Sequence, residues 1–397
     1  MTVSMDMNGQ QTGFAADVLL APEHLEFRTH FRRFVTERLE LLALRGEREK
    51  VFPREVYQEL AQGGFLAPDY PEAVGGGGGD ILLGCVYYEE LTRIPAGVSA
   101  GVFAHQHLAV RPLFELGTDQ QRREYMLPAL KAERIGAFAL TEPDAGSDVQ
   151  GIKTRARRDS QGGGWILSGS KIYITNGTIA DYYILAARTS PERRADAISL
   201  FLVDRKLPGV DAQPLDKLGN HSSSTAHVTI SDVRVGPDQL LGEVGGGLTQ
   251  LKATLSSGRV MQATRGLGIA QVAMEKTLKY AEERQAFGKK IGQFQGVAFK
   301  VAEMAARIEA ARLMVYSAAH DCIAGRDSHR GASMGKFMTA DAVIFATQQA
   351  VNLHGGYGYM EESGIARLFR DGPESYIGEG TPEIQLRIIA RAMGMHC

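Results

Sequence analysis

A short segment near the C-terminus combines a carboxylate with residues that favour the start of a helix. The segment from Gly378 to Gln385 is GEGTPEIQ. Thr381 is a favoured N-cap and Pro382 suits the first helical position, so Glu379 is predicted just ahead of a helix N-terminus. A carboxylate there can interact with the helix dipole or act as a general base, and the segment alone leaves both roles open.

Two segments in the middle of the chain carry groups that suit a flat cofactor. The first, Phe138 to Asp148, is FALTEPDAGSD and offers hydroxyls and a glycine that permits close backbone approach. The second, Lys171 to Gly177, is KIYITNG. Strict strand alternation predicts Tyr173 and Thr175 on one face and the two isoleucines on the other. Such a face can flank a cofactor, although ordinary strand packing gives the same pattern.

Two segments in the last third of the chain can contact phosphate or stack on a ring. The segment Glu283 to Gly288 is ERQAFG. Arg284 supplies a guanidinium and Phe287 an aromatic ring, but the same residues also suit a helix that ends at Gly288. The segment Asn352 to Gly358 is NLHGGYG and predicts a flexible turn after a helix.

Other nucleotide and metal signatures are weak. Gly331 to Lys336 has three residues between its glycines where a P-loop needs four, and Phe337 follows the lysine in place of Ser or Thr. The Gly-x-Gly pair at 266 to 268 lies in a helical pattern and follows no strand. His105 and His107 lack further ligands nearby, so we predict no metal site.

The secondary-structure pattern changes twice along the chain. We predict a loose tail over residues 1–21, an α-helical domain over 22–136, a middle β domain over 137–245 and a C-terminal four-helix bundle over 246–397. The fold class is therefore α+β and mostly α.

The middle region has the texture of an antiparallel, barrel-like sheet. Short segments rich in β-branched and aromatic residues alternate with turn signals, and no helix-length pattern lies between them. The predicted strands are Trp165 to Leu167, Lys171 to Thr175, Tyr182 to Ala187, Ile198 to Val203 and His227 to Val235.

The C-terminal region has apolar residues spaced three and four apart, which is typical of a helix-bundle seam. The longest such stripe contains Phe294, Val297, Val301, Met304, Ile308, Ala311, Val315 and Ala318. Two shorter stripes precede and follow it.

Composition excludes several classes of partner. Lys and Arg total 44 against 46 Asp and Glu, and no long run of one sign marks a nucleic-acid or membrane-surface patch. Cys85, Cys322 and Cys397 form no disulfide or zinc pattern. The N-terminus lacks the features of a signal peptide, and no stretch is long and apolar enough to span a membrane. A cytoplasmic location is the expectation.

Taken together and in this order, the four segments resemble the acyl-CoA dehydrogenase family, from about Pro22 to Gly394. The resemblance implies a helical domain, a β-barrel-like middle domain and a helical bundle, assembled as a homotetramer built from dimers. It also implies FAD as cofactor and desaturation of an acyl thioester, with Glu379 taking the α proton and hydride passing to the flavin N5. An electron-transfer flavoprotein or a similar acceptor is the implied partner.

The resemblance also assigns residues to ligands. Ser147, Arg259 and Gly378 match positions near the thioester substrate. Arg284, Phe287, Gln295 and the turn at 352–356 match residues that reach FAD largely from a neighbouring subunit. The full set assigned to FAD is Phe138, Leu140, Thr141, Ser147, Tyr173, Ile174, Thr175, Arg284, Phe287, Gln295, Asn352, His354, Gly355, Gly356, Gly380 and Thr381.

Some relatives carry their base at the position that matches Gly258, where this chain has no carboxylate, so Glu379 is left as the candidate base. Glu142 precedes a proline in a tight loop, and we expect it to have a structural role. Gly378 stands where many members have a bulky aromatic, and it is expected to open the mouth of the acyl tunnel. Asn220-His221-Ser222 replaces the usual basic-glycine pattern.

These departures leave the acyl group and its carrier open. The alternatives are an acyl-CoA, an acyl group on a carrier protein in a biosynthetic pathway, an oxidase that uses oxygen, and a non-catalytic flavin-binding protein.

Overall fold

The computed structural model describes residues 4–5, 11–12, 14–160, 162–192 and 194–396. Cys397 and residues 1–3, 6–10 and 13 of the predicted tail lie outside these ranges. The first two short strands are β1 (Ser4–Met5) and β2 (Gln11–Thr12). Within the described part of the chain, no helix is both long enough and apolar enough to cross a bilayer.

Residues 14–21 are packed against the rest of the protein, which corrects the expectation of a loose tail there. A single 3-10 turn, Ala15–Leu19, buries Ala16 completely. The backbone N–H of Ala15 donates to the Glu309 carboxylate at 2.7 Å, and Arg28 pairs with Asp17 at 2.8 Å. Sequence analysis missed this because the contacts are with residues far along the chain.

The N-terminal part is helical. Its α-helices are α1 (Pro22–Phe34), α2 (Glu40–Glu49), α3 (Glu55–Gln62), α4 (Ile81–Leu91), α5 (Ala96–Phe103), α6 (Arg111–Leu116), α7 (Asp119–Gln121) and α8 (Leu127–Leu130). Helix α4 is buried on nearly every side, and its side chains share one apolar core with α1 and the C-terminal helices. These helices therefore form a wall against which the bundle packs.

The middle region is one eight-stranded sheet. Its strands are β3 (Gly136–Ala139), β4 (Arg155–Arg158), β5 (Trp165–Thr175), β6 (Tyr182–Arg188), β7 (Ile198–Asp204), β8 (Val210–Pro214), β9 (Thr225–Val235) and β10 (Leu240–Leu241). The order is β10-β7-β6-β4-β5-β9-β8, and β3 also pairs with β6. Strand β6 is buried and largely apolar from Tyr182 to Ala187 because alternate side chains enter two separate cores, one on each face.

The expectation of a purely antiparallel sheet is wrong at β3, which runs parallel to β6 in the register Gly136↔Tyr182 to Ala139↔Leu185. Strand β4 also makes one parallel bridge to β6. The β3–β6 pairing is feasible because β4, β5 and the intervening loops provide a long connection between the two strands.

The C-terminal part is a bundle of three long helices and several short ones. They are α9 (Gly247–Gln250), α10 (Lys252–Glu283), α11 (Gln295–Ile323), α12 (His329–His354), α13 (Ile365–Asp371), α14 (Glu374–Ile377) and α15 (Pro382–Ala392). The predicted seam of α11 is fully buried from Met304 to Ala318, whereas Phe294, Val297 and Val301 are half-buried. Inside the bundle, Arg312 pairs with Glu89 of α4 at 3.2 Å, which fixes the bundle against the N-terminal helices.

Helix α10 ends at Glu283, so it is not closed by Gly288. A small hairpin follows, formed by β11 (Gln285–Ala286) and β12 (Lys289–Lys290). Phe287 and Gly288 form its two-residue turn, with φ values of 51° and 79°. Two consecutive left-handed residues are typical of a type I′ hairpin turn.

Candidate active site

Glu379 lies in the four-residue connection between α14 and α15. Thr381 is the N-cap residue of α15 and Pro382 is its first residue, although the Thr381 hydroxyl makes no capping hydrogen bond to the helix backbone. Glu379 has φ = 55° and Gly380 has φ = 95°. A left-handed glutamate is uncommon and costs energy, so the surrounding contacts must hold it in place.

Two buried side chains hold this connection. The Gln385 side-chain amide donates to the carbonyl oxygens of Glu379 at 3.2 Å and of Gly380 at 2.9 Å. The Lys336 ammonium donates to the Gly380 carbonyl at 2.8 Å from α12. Lys336 belongs to the rejected P-loop candidate, which is an ordinary stretch of helix. Lys336 lies among the buried positions of α12, and this was the signal for its role that sequence analysis overlooked.

Burial and the neighbouring cations act in opposite directions on the proton affinity of Glu379. Burial raises the pKa of Glu379, while Arg259 and Lys336 partly offset that rise. Burial also lowers the pKa of Lys336 to about 8 and lowers the pKa of Arg259. The Nε atom of Arg259 is buried and has no hydrogen-bond partner among the described residues. The result is a carboxylate that binds a proton more readily than one in water.

Helix α10 lies opposite the Glu379 carboxylate. A methyl group built on Gly258 would lie 3.7 Å from the Oε2 atom of Glu379, in ordinary van der Waals contact. The position that matches the base of some relatives therefore faces the Glu379 carboxylate. A carboxylate at either place would point into the same space.

The space beside Gly378 is filled, which corrects the expectation that this glycine opens a tunnel. A methyl group on Gly378 would lie 2.5 Å from the Oε1 atom of Glu374 and 3.1 Å from the Nε2 atom of Gln262. Both side chains belong to a polar network that sequence analysis did not identify. Its members are far apart in the chain and match no motif.

The segment from Phe138 to Ser147 begins as β3 and continues as a loop. Phe138, Leu140 and Thr141 are partly exposed and Ser147 is exposed, whereas the alternate alanines of β3 are buried. The loop is anchored by Glu142, whose carboxylate accepts hydrogen bonds from the Thr154 backbone at 2.9 Å and from the Lys171 ammonium at 2.7 Å. Glu142 therefore ties the loop to β5.

The pairing between Glu142 and Lys171 is buried on both sides. Burial lowers the pKa of Lys171 to about 8. Burial alone would raise the pKa of Glu142, but Lys171 and the neighbouring hydrogen bonds outweigh it and lower that pKa. The carboxylate is thus engaged in structure and is not presented to a substrate.

Strand β5 does not follow strict alternation, so the predicted faces are wrong. A bulge lies between Lys171 and Ile174, where the register to β9 shifts. Tyr173 has φ = 60° and is 67% exposed, while Ile174 is buried in the sheet core. The Ile174 side chain is therefore not available to a cofactor. The Ile172 N–H donates to the Thr141 carbonyl at 2.9 Å, which brings the two predicted segments together.

The remaining two segments also meet each other. Tyr280 near the end of α10 stacks on His354 with ring centroids 4.3 Å apart, and the Arg284 N–H donates to the Tyr280 carbonyl. His354 is buried and bonds to the Ala350 carbonyl, so its ring serves packing. Asn352, Gly355, Gly356, Arg284, Phe287 and Gln295 are exposed, and Phe287 is 96% exposed.

Comparison with protein families covers nearly the whole chain. The N-terminal, middle and C-terminal domain models of acyl-CoA dehydrogenase match residues 21–133, 137–233 and 245–394. The chain belongs to the acyl-CoA dehydrogenase family. Its members are FAD-dependent oxidoreductases that act on the CH–CH group of donors, so FAD is the cofactor.

Individual relatives of this acyl-CoA dehydrogenase differ in named substrate. The chain is 36% identical over 369 residues to 3-(aryl)acrylate reductase of Clostridium sporogenes, covering 93% of this chain and 97% of the relative. It is 37% identical over 347 residues to the short-chain specific acyl-CoA dehydrogenase of Megasphaera elsdenii, covering 86% and 90% of the two chains.

Solved structures agree with the fold. Butyryl-CoA dehydrogenase of Megasphaera elsdenii superimposes with a TM-score of 0.91 and 34% identity, covering 95% of this chain and 99% of that one. An FAD complex of PigA gives a TM-score of 0.90 and 29% identity, covering 94% and 98%.

The residues present fit FAD in two ways. Thr141 and Tyr173 lie beside each other through the Ile172 hydrogen bond and present polar and aromatic groups at the sheet surface. Around Gly355 and Gly356, an added methyl group would meet nothing within 4 Å, so a ligand can approach the backbone closely.

Proposed function

We propose that the protein desaturates an acyl thioester between its α and β carbons, with Glu379 as the base that takes the α proton. The observation that carries this proposal is the environment of Glu379. The carboxylate sits in a left-handed connection held by Lys336 and Gln385, has a raised pKa, and faces helix α10 at Gly258.

The residues of the site supply proton affinity and positioning. FAD, when bound, provides the two-electron acceptor that the reaction requires. A carboxylate is a weak base toward carbon, so the raised pKa of Glu379 makes proton transfer from the α carbon less unfavourable. The Glu379 backbone N–H is assigned as the donor of a hydrogen bond to the thioester carbonyl. A donor at this place increases the acidity of the α carbon.

Arg259 has a positioning role in this proposal. Its guanidinium is partly buried, lies near Glu379 and has an Nε–H with no partner among the described residues. A buried unpaired donor is costly, so a ligand oxygen that accepts from it would be stabilised. The thioester side of the substrate is the natural source of such an oxygen.

We also propose coenzyme A as the carrier and an electron-transfer flavoprotein as the acceptor. A relative from Acetobacterium woodii, 36% identical over 360 residues, is named as the CarC subunit of a caffeyl-CoA reductase–Etf complex. The name of the structurally similar butyryl-CoA dehydrogenase likewise contains a CoA thioester. An acyl group on a carrier protein would use the same Glu379.

The FAD site is proposed to be completed by a second copy of the chain. Arg284, Phe287 and Gln295 are exposed on the bundle, and the Phe287 ring has almost no contact with its own chain. An exposed aromatic at a hairpin tip favours insertion against another surface. A homo-oligomer with shared FAD sites follows, as the family resemblance implies.

The deciding experiment is anaerobic titration of the purified FAD-loaded protein with acyl-CoA thioesters and with the same acyl groups on a carrier protein. Bleaching of the flavin by an acyl-CoA supports the proposal. If only carrier-bound acyl groups bleach it, the choice of coenzyme A is wrong. If no thioester reduces the flavin, the proposed activity itself is wrong.

A further inference from the structure

A polar network that is buried except at Glu374 lies next to Glu379 and is not used by the proposed reaction. Gln262 donates to both oxygens of Glu374, at 3.1 and 3.2 Å, and Arg265 approaches the same carboxylate at 3.3 Å. Arg265 also donates to the Gln262 side-chain oxygen at 2.5 Å and to the Ser99 hydroxyl at 3.2 Å. We call Ser99, Gln262, Arg265 and Glu374 the polar cluster.

The polar cluster continues the face of α10 that opposes Glu379. Gly258, Gln262 and Arg265 are spaced four and three residues apart and therefore share one side of the helix. Gly258 faces the Glu379 carboxylate, and Gln262 lies one turn further on, about 6 Å along the axis. A short chain that starts at Glu379 and runs along α10 reaches the cluster.

Burial shows which way such a chain points. Beyond Gln262 the space is closed by Arg265, Ser99 and Phe103, each no more than 3% exposed. Toward the start of α10, Ser257 and Arg259 are partly exposed. A bulky carrier must remain on the open side, so the thioester lies there and the far end of the acyl group points to the polar cluster.

The hydrogen-bonding capacity of the cluster selects the chemistry of that end. Each of the three nitrogen atoms of Arg265 is already directed to at least one acceptor, namely Gln262, Ser99, Glu374 and the Ala96 carbonyl. Glu374 receives only two donor side chains among the described residues, and its side chain is 32% exposed. A carboxylate has about four acceptor positions, so Glu374 can accept further hydrogen bonds.

We propose that the acyl group carries a hydrogen-bond donor, a hydroxyl or an amine, at the far end of a short chain, and that Glu374 accepts from it. This inference rests on the proposed function and adds the class of substrate to it. A terminal methyl group would leave the carboxylate without that partner. A terminal carboxylate would meet the like charge of Glu374, and each nitrogen atom of Arg265 already donates to another acceptor.

The test compares four CoA thioesters of matched length: pentanoyl, ω-hydroxypentanoyl, ω-aminopentanoyl and glutaryl. The rate of anaerobic flavin reduction is measured at low thioester concentration in the FAD-loaded protein. We expect at least one donor-bearing thioester to react about ten- to a hundredfold faster than the pentanoyl thioester, the range for a hydrogen bond to a charged group. Comparison of the rates with the hydroxyl-bearing and the amine-bearing thioester identifies which donor is preferred.

Variants assign the preference to Glu374. Glu374→Leu should reduce the preference to about unity, and Glu374→Gln, which keeps an acceptor oxygen, should retain part of it for the hydroxyl. The Gln variant serves as the test if the Leu variant does not fold, because it keeps the shape of the network. Glu361→Leu, at a carboxylate that is 67% exposed, is the matched control and should leave the preference unchanged.

Three results would overturn the inference. Pentanoyl or glutaryl thioester could react as fast as both donor-bearing ones, or the preference could survive unchanged in Glu374→Leu and Glu374→Gln. Either result leaves the dehydrogenase activity intact and removes only the substrate class. Absence of flavin reduction by all four thioesters and by the wider acyl panel would overturn the activity together with the inference.

Discussion

Glu379 combines a strained backbone with a desolvated carboxylate, and both features depend on its neighbours. The left-handed conformation at φ = 55° is maintained because Gln385 donates to the carbonyl oxygens of Glu379 and Gly380, and Lys336 donates to that of Gly380. Strain of this kind persists only where surrounding contacts over-determine it. We interpret the strain as the means of aiming the carboxylate at the space in front of Gly258.

Replacing the base should separate binding from chemistry. We expect Glu379→Gln to fold and to bind FAD and substrate, because glutamine is nearly isosteric and keeps hydrogen-bonding capacity. Loss of the proton acceptor should slow flavin reduction by on the order of a hundred- to ten-thousandfold. Anaerobic stopped-flow reduction measures this, with the exposed Glu361→Gln as control. Near-normal bleaching in Glu379→Gln would contradict the mechanism.

Lys336 should set the pH dependence of the reaction. Its charge opposes the rise in the Glu379 pKa, so Lys336→Met should raise that pKa further. The base must be deprotonated to act, so the rate rises with pH through its pKa, and that limb should move to higher pH in the variant. The loss of the Gly380 hydrogen bond should also lower the limiting rate.

The measurement for Lys336→Met is the pH profile of the limiting flavin-reduction rate. Lys300→Met is the control, since Lys300 lies on the surface of α11 and pairs with Glu303. A Lys336→Met profile that coincides with the wild-type profile would show that Lys336 only fills space.

At the scale of elements, the cofactor loop depends on one buried ion pair. Glu142 and Lys171 join the loop after β3 to strand β5, and their side chains are 5% and 0% exposed. Glu142→Gln leaves the buried Lys171 without its charged partner, which typically costs about 3–5 kcal/mol. We therefore expect a lower unfolding midpoint and weaker FAD retention, measured by thermal unfolding and by the ratio of flavin to protein absorbance.

The matched control for that pair is close in sequence. Asp144 and Lys153 form an ion pair 2.7 Å apart, with side chains that are 70% and 74% exposed. Asp144→Asn should leave both measurements unchanged because exposed pairs contribute little. If Glu142→Gln kept full FAD and stability, the structural role of Glu142 would be wrong.

At the scale of the whole molecule, we expect FAD binding and assembly to depend on each other. Arg284→Ala should lower FAD occupancy and shift the oligomer toward smaller species, because a ligand that binds only the assembled form stabilises it. Analytical ultracentrifugation with and without added FAD measures both effects. Arg157→Ala, at an exposed position of strand β4 in the middle sheet, is the control. Native assembly and full FAD occupancy in Arg284→Ala would contradict the assignment of Arg284 to an FAD site shared between subunits.

Much of the architecture followed from local patterns in the sequence. The three-and-four spacing from Met304 to Ala318 placed the seam of α11, because a helix repeats its faces regardless of what it packs against. Pro382 marked the start of α15 because its fixed backbone φ angle suits the first helical position whatever the helix packs against. The order of the four segments indicated the family, and the family models confirmed it.

The tertiary structure decided what depends on distant neighbours. Lys336 of α12, Glu374 of α14 and the Gln262–Arg265 pair of α10 converge near the Glu379 connection, and no spacing in the sequence relates the three helices. The bulge in β5 and the parallel pairing of β3 each depend on a partner strand, so periodicity alone predicted them wrongly. The sequence by itself determined most of the elements and pointed to Glu379 as the candidate base. The packing of the elements determined the electrostatics and the surroundings of Glu379. Burial and charge interactions depend on which residues are neighbours in space, and residues far apart in the chain can be such neighbours.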